Sequence, residues 1–297
     1  MKTKIIPFVG AATALITPMN SDYSIDFDSF GLMIEKQIDA GIDALLILGT
    51  TGESSTLSDK EKQKCIDFAS EQINGRIPLI VGTGSNDTES AVKLSRYASD
   101  KGADAVLVVT PYYNKTTDTG LIRHYTKIAD SCSAPVILYN IPQRTGMTIS
   151  YPVYKALAEH DNIVAVKEAS GSISAVSEII SGLGSSMYVY SGNDSETVPV
   201  MACGGIGVFS VLSNIMPREV VEICSLMRDG RGTEASALSN KLCSLVRALF
   251  CEVNPIPVKA ACEMIGLCSS AIRPPLCELS DKNRKKLRSE LRKHGLI

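Results

Sequence analysis

The chain has 297 residues, 44% of them hydrophobic and 21% charged, with a formal net charge of −2. That is the make-up of a globular protein with room for a sizeable core. It excludes the strongly basic surface of a nucleic-acid binder or of a protein held on an anionic membrane. Residues 1–7 contain no long apolar run, so neither a signal peptide nor a membrane span is expected.

Short β-branched runs recur at 10–16, 44–48, 77–81, 105–109, 136–139, 163–167, 187–190 and 207–211, each of strand length. Amphipathic stretches lie between them, among them 26–40, 58–74, 87–101 and 119–131. Ser58 with Glu61 three residues later has the spacing of a capping box. Gly41, Gly75 and Gly102 stand where three of these helices should end. Strand signals alternating with helices predict parallel βαβ units, and eight such units close an α/β TIM (β/α)8 barrel. A doubly wound open sheet would alternate in the same way. The lack of Gly-x-Gly-x-x-Gly after the first strand weakens its dinucleotide-binding form.

Beyond about residue 217 the β signal stops. Stretches 218–228, 233–250, 257–265 and 280–294 read as helices, broken by Asn254-Pro255-Ile256-Pro257 and Arg273-Pro274-Pro275. The first of these helices would complete the barrel. The expected division is a barrel over 1–230, carrying the active site, and a C-terminal helical region over 231–297.

Nine cysteines form no Cys-x-x-Cys pair, which suits reduced thiols packed as small hydrophobes in a cytoplasmic protein. The histidines, His124, His160 and His294, are too scattered to suggest a metal cluster, and no metal site is expected.

In a barrel of this kind the loops after the strands' carboxyl ends carry the chemistry. The sixth strand signal, Ile163-Val164-Ala165-Val166, ends in Lys167. Apolar walls there would lower the amine's pKa, and a neutral amine can attack a carbonyl to form a Schiff base. The alternative is a lysine that merely marks the strand's exit into water. Gly49-Thr50-Thr51-Gly52-Glu53 follows the second strand, where backbone N–H groups and two hydroxyls could converge on a carboxylate. Tyr112-Tyr113 follows the fourth strand, and Tyr139 with Arg144 the fifth. Linked phenols can shuttle protons and a guanidinium can clamp a carboxylate, although strand-end tyrosines are also ordinary packing residues. Gly192 and the Gly204–Phe209 stretch (204–209) close the last two strands and permit close backbone approach. The set suits imine chemistry on a small oxo acid.

Taken in order, Leu15-Ile16-Thr17-Pro18, the Gly-Thr-Thr-Gly-Glu loop, Lys167 and Asn254-Pro255-Ile256-Pro257-Val258-Lys259 resemble the dihydrodipicolinate synthase family of pyruvate-dependent lyases and aldolases. The resemblance spans essentially the whole chain. It implies a TIM barrel with a C-terminal helical region, and condensation of pyruvate with L-aspartate 4-semialdehyde in lysine biosynthesis. It also implies that Lys167 forms the imine, that no cofactor beyond this covalent lysine–pyruvate adduct is used, and that Thr51, Tyr139 and Tyr113 form a proton relay. Tyr113 would come from a neighbouring subunit of a homo-oligomer, a tetramer built as a dimer of dimers. Thr50 and Thr51 would hold the pyruvate carboxylate, Arg144 the carboxylate of the semialdehyde, and Gly192 and Phe209 would line the pyruvate pocket. Phe209 stands where the family often has a smaller aliphatic residue.

The resemblance also implies an effector cleft for lysine around Ser54, Asp59, Asn86 and Tyr112, with Ser55, Lys62 and Ser90 at matching positions. Ser90 replaces a glutamate suited to an ammonium and Lys62 adds a like charge, so weak or absent inhibition by lysine is expected. N-acetylneuraminate lyases and keto-deoxy sugar-acid aldolases share the lysine and the tyrosine. The paired threonines and Arg144 favour the synthase over them, and the relay argues against a non-catalytic oxo-acid-binding protein.

Overall fold

The computed structural model describes residues 4–297. Among these, eight parallel strands close into a barrel in chain order, the first pairing with the last. They are β1 (Gly10–Ala14), β2 (Ala44–Ile47), β3 (Leu79–Gly82), β4 (Ala105–Val109), β5 (Val136–Asn140), β6 (Ile163–Glu168), β7 (Tyr188–Ser191) and β8 (Gly207–Ser210). The TIM barrel expected from the alternation is the fold that forms, and the open doubly wound sheet is not.

Between the strands lie α1 (Phe27–Asp39), α2 (Asp59–Ile73), α3 (Thr88–Asp100), α4 (Asp118–Ala129), the single turn α5 (Pro142–Thr145), α6 (Tyr151–Ala158), α7 (Ile173–Leu183) and α8 (Thr197–Ala202). After β8 come α9 (Pro217–Arg228), α10 (Gly232–Leu249), α11 (Ile256–Met264) and α12 (Asp281–Lys293). α9 packs on β1 and completes the helical ring. Local sequence sets the helix starts. Ser58 Oγ accepts from Glu61 N–H while the Glu61 carboxylate accepts from Ser58 N–H, so α2 begins with the expected capping box.

Successive side chains on a strand point to opposite faces, and this alternation splits the core in two. Outward residues such as Leu45, Val81, Val106, Leu138, Val166 and Val208 pack against the helices. Inward residues form a second, enclosed cluster that includes Ala12, Leu46, Leu107, Ile137, Tyr139, Ala165, Tyr190 and Phe209. Phe8 closes the floor of that cluster. Its ring stacks on Tyr190 at 4.4 Å and meets Phe209 edge-on at 5.2 Å, and the Tyr190 hydroxyl donates to the Phe8 carbonyl at 2.6 Å. With Ala165 inward and Val166 outward, the same alternation turns Lys167 inward at the carboxyl end of β6. Among the described residues, no helix is long and apolar enough to cross a membrane.

Candidate active site

Lys167 is 5% exposed and pairs in register with Tyr139 on β5 and Tyr190 on β7. Its Nζ lies 4.3 Å from the centroid of the Tyr139 ring and 5.2 Å from that of Phe209. Burial pulls the amine's pKa down from the usual lysine range to about 7; buried Asp194 works against that fall and Arg144 adds to it. A substantial fraction of the amine is therefore unprotonated at neutral pH, the condition for attack on a carbonyl.

Two residues after β7 shape the surroundings of this lysine. Gly192 donates its N–H to the Glu168 carbonyl at 2.7 Å, and a Cβ there would lie 2.6 Å from Ala169 Cβ and 3.2 Å from Lys167 Cγ. Only glycine leaves the lysine stem undisturbed. Asp194 accepts from Ser210 Oγ and from the N–H groups of Val211 and Leu212 at 3.0 and 3.1 Å, tying the loop after β7 to the end of β8. Burial raises its pKa, against the pull of those three donors. Behind the strand, the buried Glu168 carboxylate accepts from Asn140 Nδ2 at 2.9 Å, Tyr154 OH at 3.0 Å and Ser170 N–H at 2.7 Å. These bonds fix the carboxyl ends of β5 and β6 side by side.

The Tyr139 hydroxyl is also buried, and burial drives its pKa up to about 12, opposed by Arg144 and by a hydrogen bond with Thr50. A relay through Thr51 is the expectation, and of the two threonines it is Thr50 that bears on the pKa of the Tyr139 hydroxyl. Turn bonds from Gly52 N–H to Gly49 O and from Glu53 N–H to Thr50 O curl this loop tightly, and the two adjacent threonines project differently. Thr51 is 3% exposed, and its Oγ1 accepts from Asn254 Nδ2 at 3.0 Å.

Asn254 links two loops that are far apart around the barrel. Its side chain holds Thr51 after β2, and its carbonyl accepts from Arg144 Nη2 at 3.0 Å on α5 after β5. Asn254 Oδ1 is buried without a hydrogen-bond partner. Five residues on, Lys259 Nζ pairs with Glu53 Oε1 at 2.5 Å, with the two side chains 0% and 1% exposed. Glu53 Oε2 accepts the Arg273 N–H at 3.0 Å. The Gly-Thr-Thr-Gly-Glu loop is therefore anchored from the helical region at both Thr51 and Glu53. Sequence reasoning missed this role. Asn254 and Lys259 stood in the motif run but were read only as a break and a helix.

Tyr113 is the outlier. It is 91% exposed with a backbone φ of 69°, and its own chain does not bring it to Lys167. Its neighbour Tyr112 is half-buried and lines a cavity of about 310 Å³ with Thr50, Ser54, Lys62, Ile141 and Arg144. Of the four core residues of the expected effector cleft, Ser54 and Tyr112 share this cavity, whereas Asp59 and Asn86 do not line it. The Asp59 side chain is 96% exposed, 3.8 Å from Lys62 Nζ. The Asn86 carbonyl accepts from Asn114 Nδ2 at 2.9 Å.

A family model described as the dihydrodipicolinate synthetase family matches residues 7–294. The chain is 48% identical to the 4-hydroxy-tetrahydrodipicolinate synthase of Acetivibrio thermocellus and 46% identical to that of a Thermoanaerobacter species, in each case over 98% of both chains. Among solved structures it is similar to the dihydrodipicolinate synthase from Aquifex aeolicus. That chain is 46% identical and superposes with a TM-score of 0.95 over 97% of this chain and 99% of its own length.

Proposed function

The chain belongs to the dihydrodipicolinate synthetase family, and from that premise we propose that it is a lyase, a 4-hydroxy-tetrahydrodipicolinate synthase acting on pyruvate and L-aspartate 4-semialdehyde. The observation that carries the reading is Lys167, an amine with a pKa of about 7 between the Tyr139 and Phe209 rings.

In this reading the neutral Lys167 amine attacks the pyruvate carbonyl, and loss of water leaves an imine. The pyruvate carboxylate rests against Thr50 and Thr51, and Gly192 and Phe209 close the pocket. Loss of a methyl proton gives an enamine, whose carbon forms the new bond to the aldehyde of the second substrate while Arg144 holds that substrate's carboxylate. The semialdehyde's own amine then displaces Lys167 and closes the ring. Tyr139 moves the protons with its hydroxyl joined to Thr50, so we assign the relay threonine to Thr50 and keep Thr51 for carboxylate binding. The chemistry uses no cofactor beyond the covalent adduct.

Tyr113 would complete the relay from a neighbouring copy, in a homo-oligomer of at least two chains and most simply a dimer of dimers. Its exposure, 91%, supports that assignment. We assign the chemistry to the barrel of residues 1–230 and give 231–297 the task of bracing it. The part-buried cavity by Tyr112 and Ser54 is the proposed effector cleft, Asp59 and Asn86 lying outside its lining, and the protein is assigned to the cytoplasm.

Borohydride reduction tests the reading. Pyruvate should fix a reduced adduct on Lys167, seen as a mass shift on the peptide that carries it. Pyruvate with L-aspartate 4-semialdehyde should turn over without trapping. No adduct with pyruvate would overturn the imine.

A further inference from the structure

We propose that Glu168 is a positioning residue for the second substrate: its buried carboxylate holds the segment that carries Arg144, and so sets where the carboxylate of the semialdehyde is received. This deepens the function proposed above and rests on its reading of Arg144.

Arg144 sits on α5, a single turn of four residues. So short a helix has too few internal hydrogen bonds to hold itself, and its place must come from what surrounds it. Both ends of the segment lead to Asn140. The chain leaves β5 there, passes through α5, and returns at Ile149, whose N–H donates to Asn140 Oδ1 at 3.1 Å. The turn itself is tied next to Arg144, where Gln143 Nε2 donates to the Ser170 carbonyl at 2.8 Å.

Each of these ties ends on one carboxylate. Glu168 is 2% exposed and accepts from Ser170 N–H at 2.7 Å on one oxygen. On the other it accepts from Asn140 Nδ2 at 2.9 Å and from Tyr154 OH at 3.0 Å, on α6. Burial, and after it the charge of Glu168, raises the Tyr154 pKa, so that phenol keeps its proton and stays a donor. The Asn140 side chain is thereby oriented from both sides, its NH2 group facing an acceptor and its oxygen facing a donor. A glutamine at 168 would turn its own NH2 group toward one of these donors.

Lys167 has separate support. It points inward from the same strand, in register with Tyr139 and Tyr190, whereas Glu168 points outward to the helices. Loss of the carboxylate should therefore displace Arg144 more than the imine lysine.

Glu168→Gln keeps the volume and removes one acceptor. Its kcat/KM for L-aspartate 4-semialdehyde, at saturating pyruvate, should fall by about 10–100-fold, as when an orienting group is misplaced. Borohydride trapping of pyruvate on Lys167 should stay close to the wild-type rate. In an Arg144→Ala background the same substitution should cause no additional loss, because the group it positions is gone. Exchanging the pair, Asn140→Asp with Glu168→Gln, again sets a donor against an acceptor and should recover most of the activity. It also keeps the test decisive if the single variant fails to fold. Unchanged semialdehyde kinetics in Glu168→Gln would overturn the proposal, as would an equal fall in pyruvate trapping, a full further loss beyond Arg144→Ala, or no recovery in the exchanged pair. If the wild-type protein traps no pyruvate or does not turn over the semialdehyde, the proposed function fails and takes this inference with it.

Discussion

Asn254 Nδ2 donates to Thr51 Oγ1 at 3.0 Å across 203 positions of sequence. A hydroxyl has one hydrogen to give and two lone pairs to receive. With one lone pair occupied by the amide, the Thr51 hydroxyl keeps its hydrogen for another acceptor, such as a carboxylate. Thr50 is instead engaged with Tyr139.

The two threonines should therefore fail differently. Thr50→Val is expected to lower kcat by about 10²–10⁴, the usual worth of a positioned proton-transfer group, with a smaller change in the KM for pyruvate. Thr51→Val should chiefly raise that KM. Steady-state kinetics on both variants would decide it, and a kcat loss confined to Thr51→Val would restore Thr51 to the relay.

Lys167 predicts two pH profiles. Its pKa of about 7 means that kcat/KM for pyruvate falls by about tenfold per pH unit below that point, as the amine takes up a proton. For stability the sign runs the same way. Between about 7 and the ordinary lysine value the unfolded chain holds a proton that the native amine lacks, so raising the pH favours the native state. The penalty for burying this amine is full below about 7 and gone above about 10.5. Lys167→Met should unfold at higher denaturant than wild type at pH 7, with the gap narrowing as pH rises toward 10. Parallel melting curves across that range check it.

Glu53 and Lys259 form a fully buried pair, in which burial lowers the Lys259 pKa and the carboxylate resists that fall. Removing one member strands the other. Glu53→Leu or Lys259→Met alone is expected to cost about 3–5 kcal/mol, whereas the double substitution should cost much less. Equilibrium urea unfolding of the three variants gives the comparison. Additive losses would show that the pair is not coupled.

A Tyr113 that acts across an interface permits complementation. Lys167→Ala and Tyr113→Phe chains should each be inactive or slow alone. Refolded or co-expressed together they should regain activity, because one site of each mixed pair has Lys167 from one chain and Tyr113 from the other. No recovery, despite mass-verified mixed oligomers, would place Tyr113 with its own barrel.

Free L-lysine should inhibit weakly or not at all. Lys62 lines the cavity beside Tyr112, where it opposes an incoming ammonium, and the Ser90 hydroxyl is engaged with Asp87. Half-inhibition at sub-millimolar lysine in initial-rate assays would contradict this.

What was legible in the sequence follows from range. Strand positions came from apolar runs and helix ends from glycines, both of them local signals. The inward turn of Lys167 follows from the two-residue alternation through Ala165 and Val166. The different surroundings of Thr50 and Thr51 were not readable, because neighbours in a turn diverge according to bonds that the turn makes elsewhere. Asn254, Lys259 and Glu53 were likewise opaque. An asparagine before a proline reads as punctuation, and nothing nearby reveals that its amide reaches a residue three strands away from Arg144 around the barrel.

Those long-range anchors also set an order of events on the ribosome. All eight strands and the ring-closing helix have been synthesised by Arg228, yet Thr51 and Glu53 still lack Asn254 and Lys259. At about 5–20 residues per second, several more seconds of translation separate a barrel that can close from one whose carboxylate loop is secured. A nascent chain stalled in that interval would have its lysine in place beside an unfinished cradle, so competence for the oxo acid arrives with the last helices to emerge.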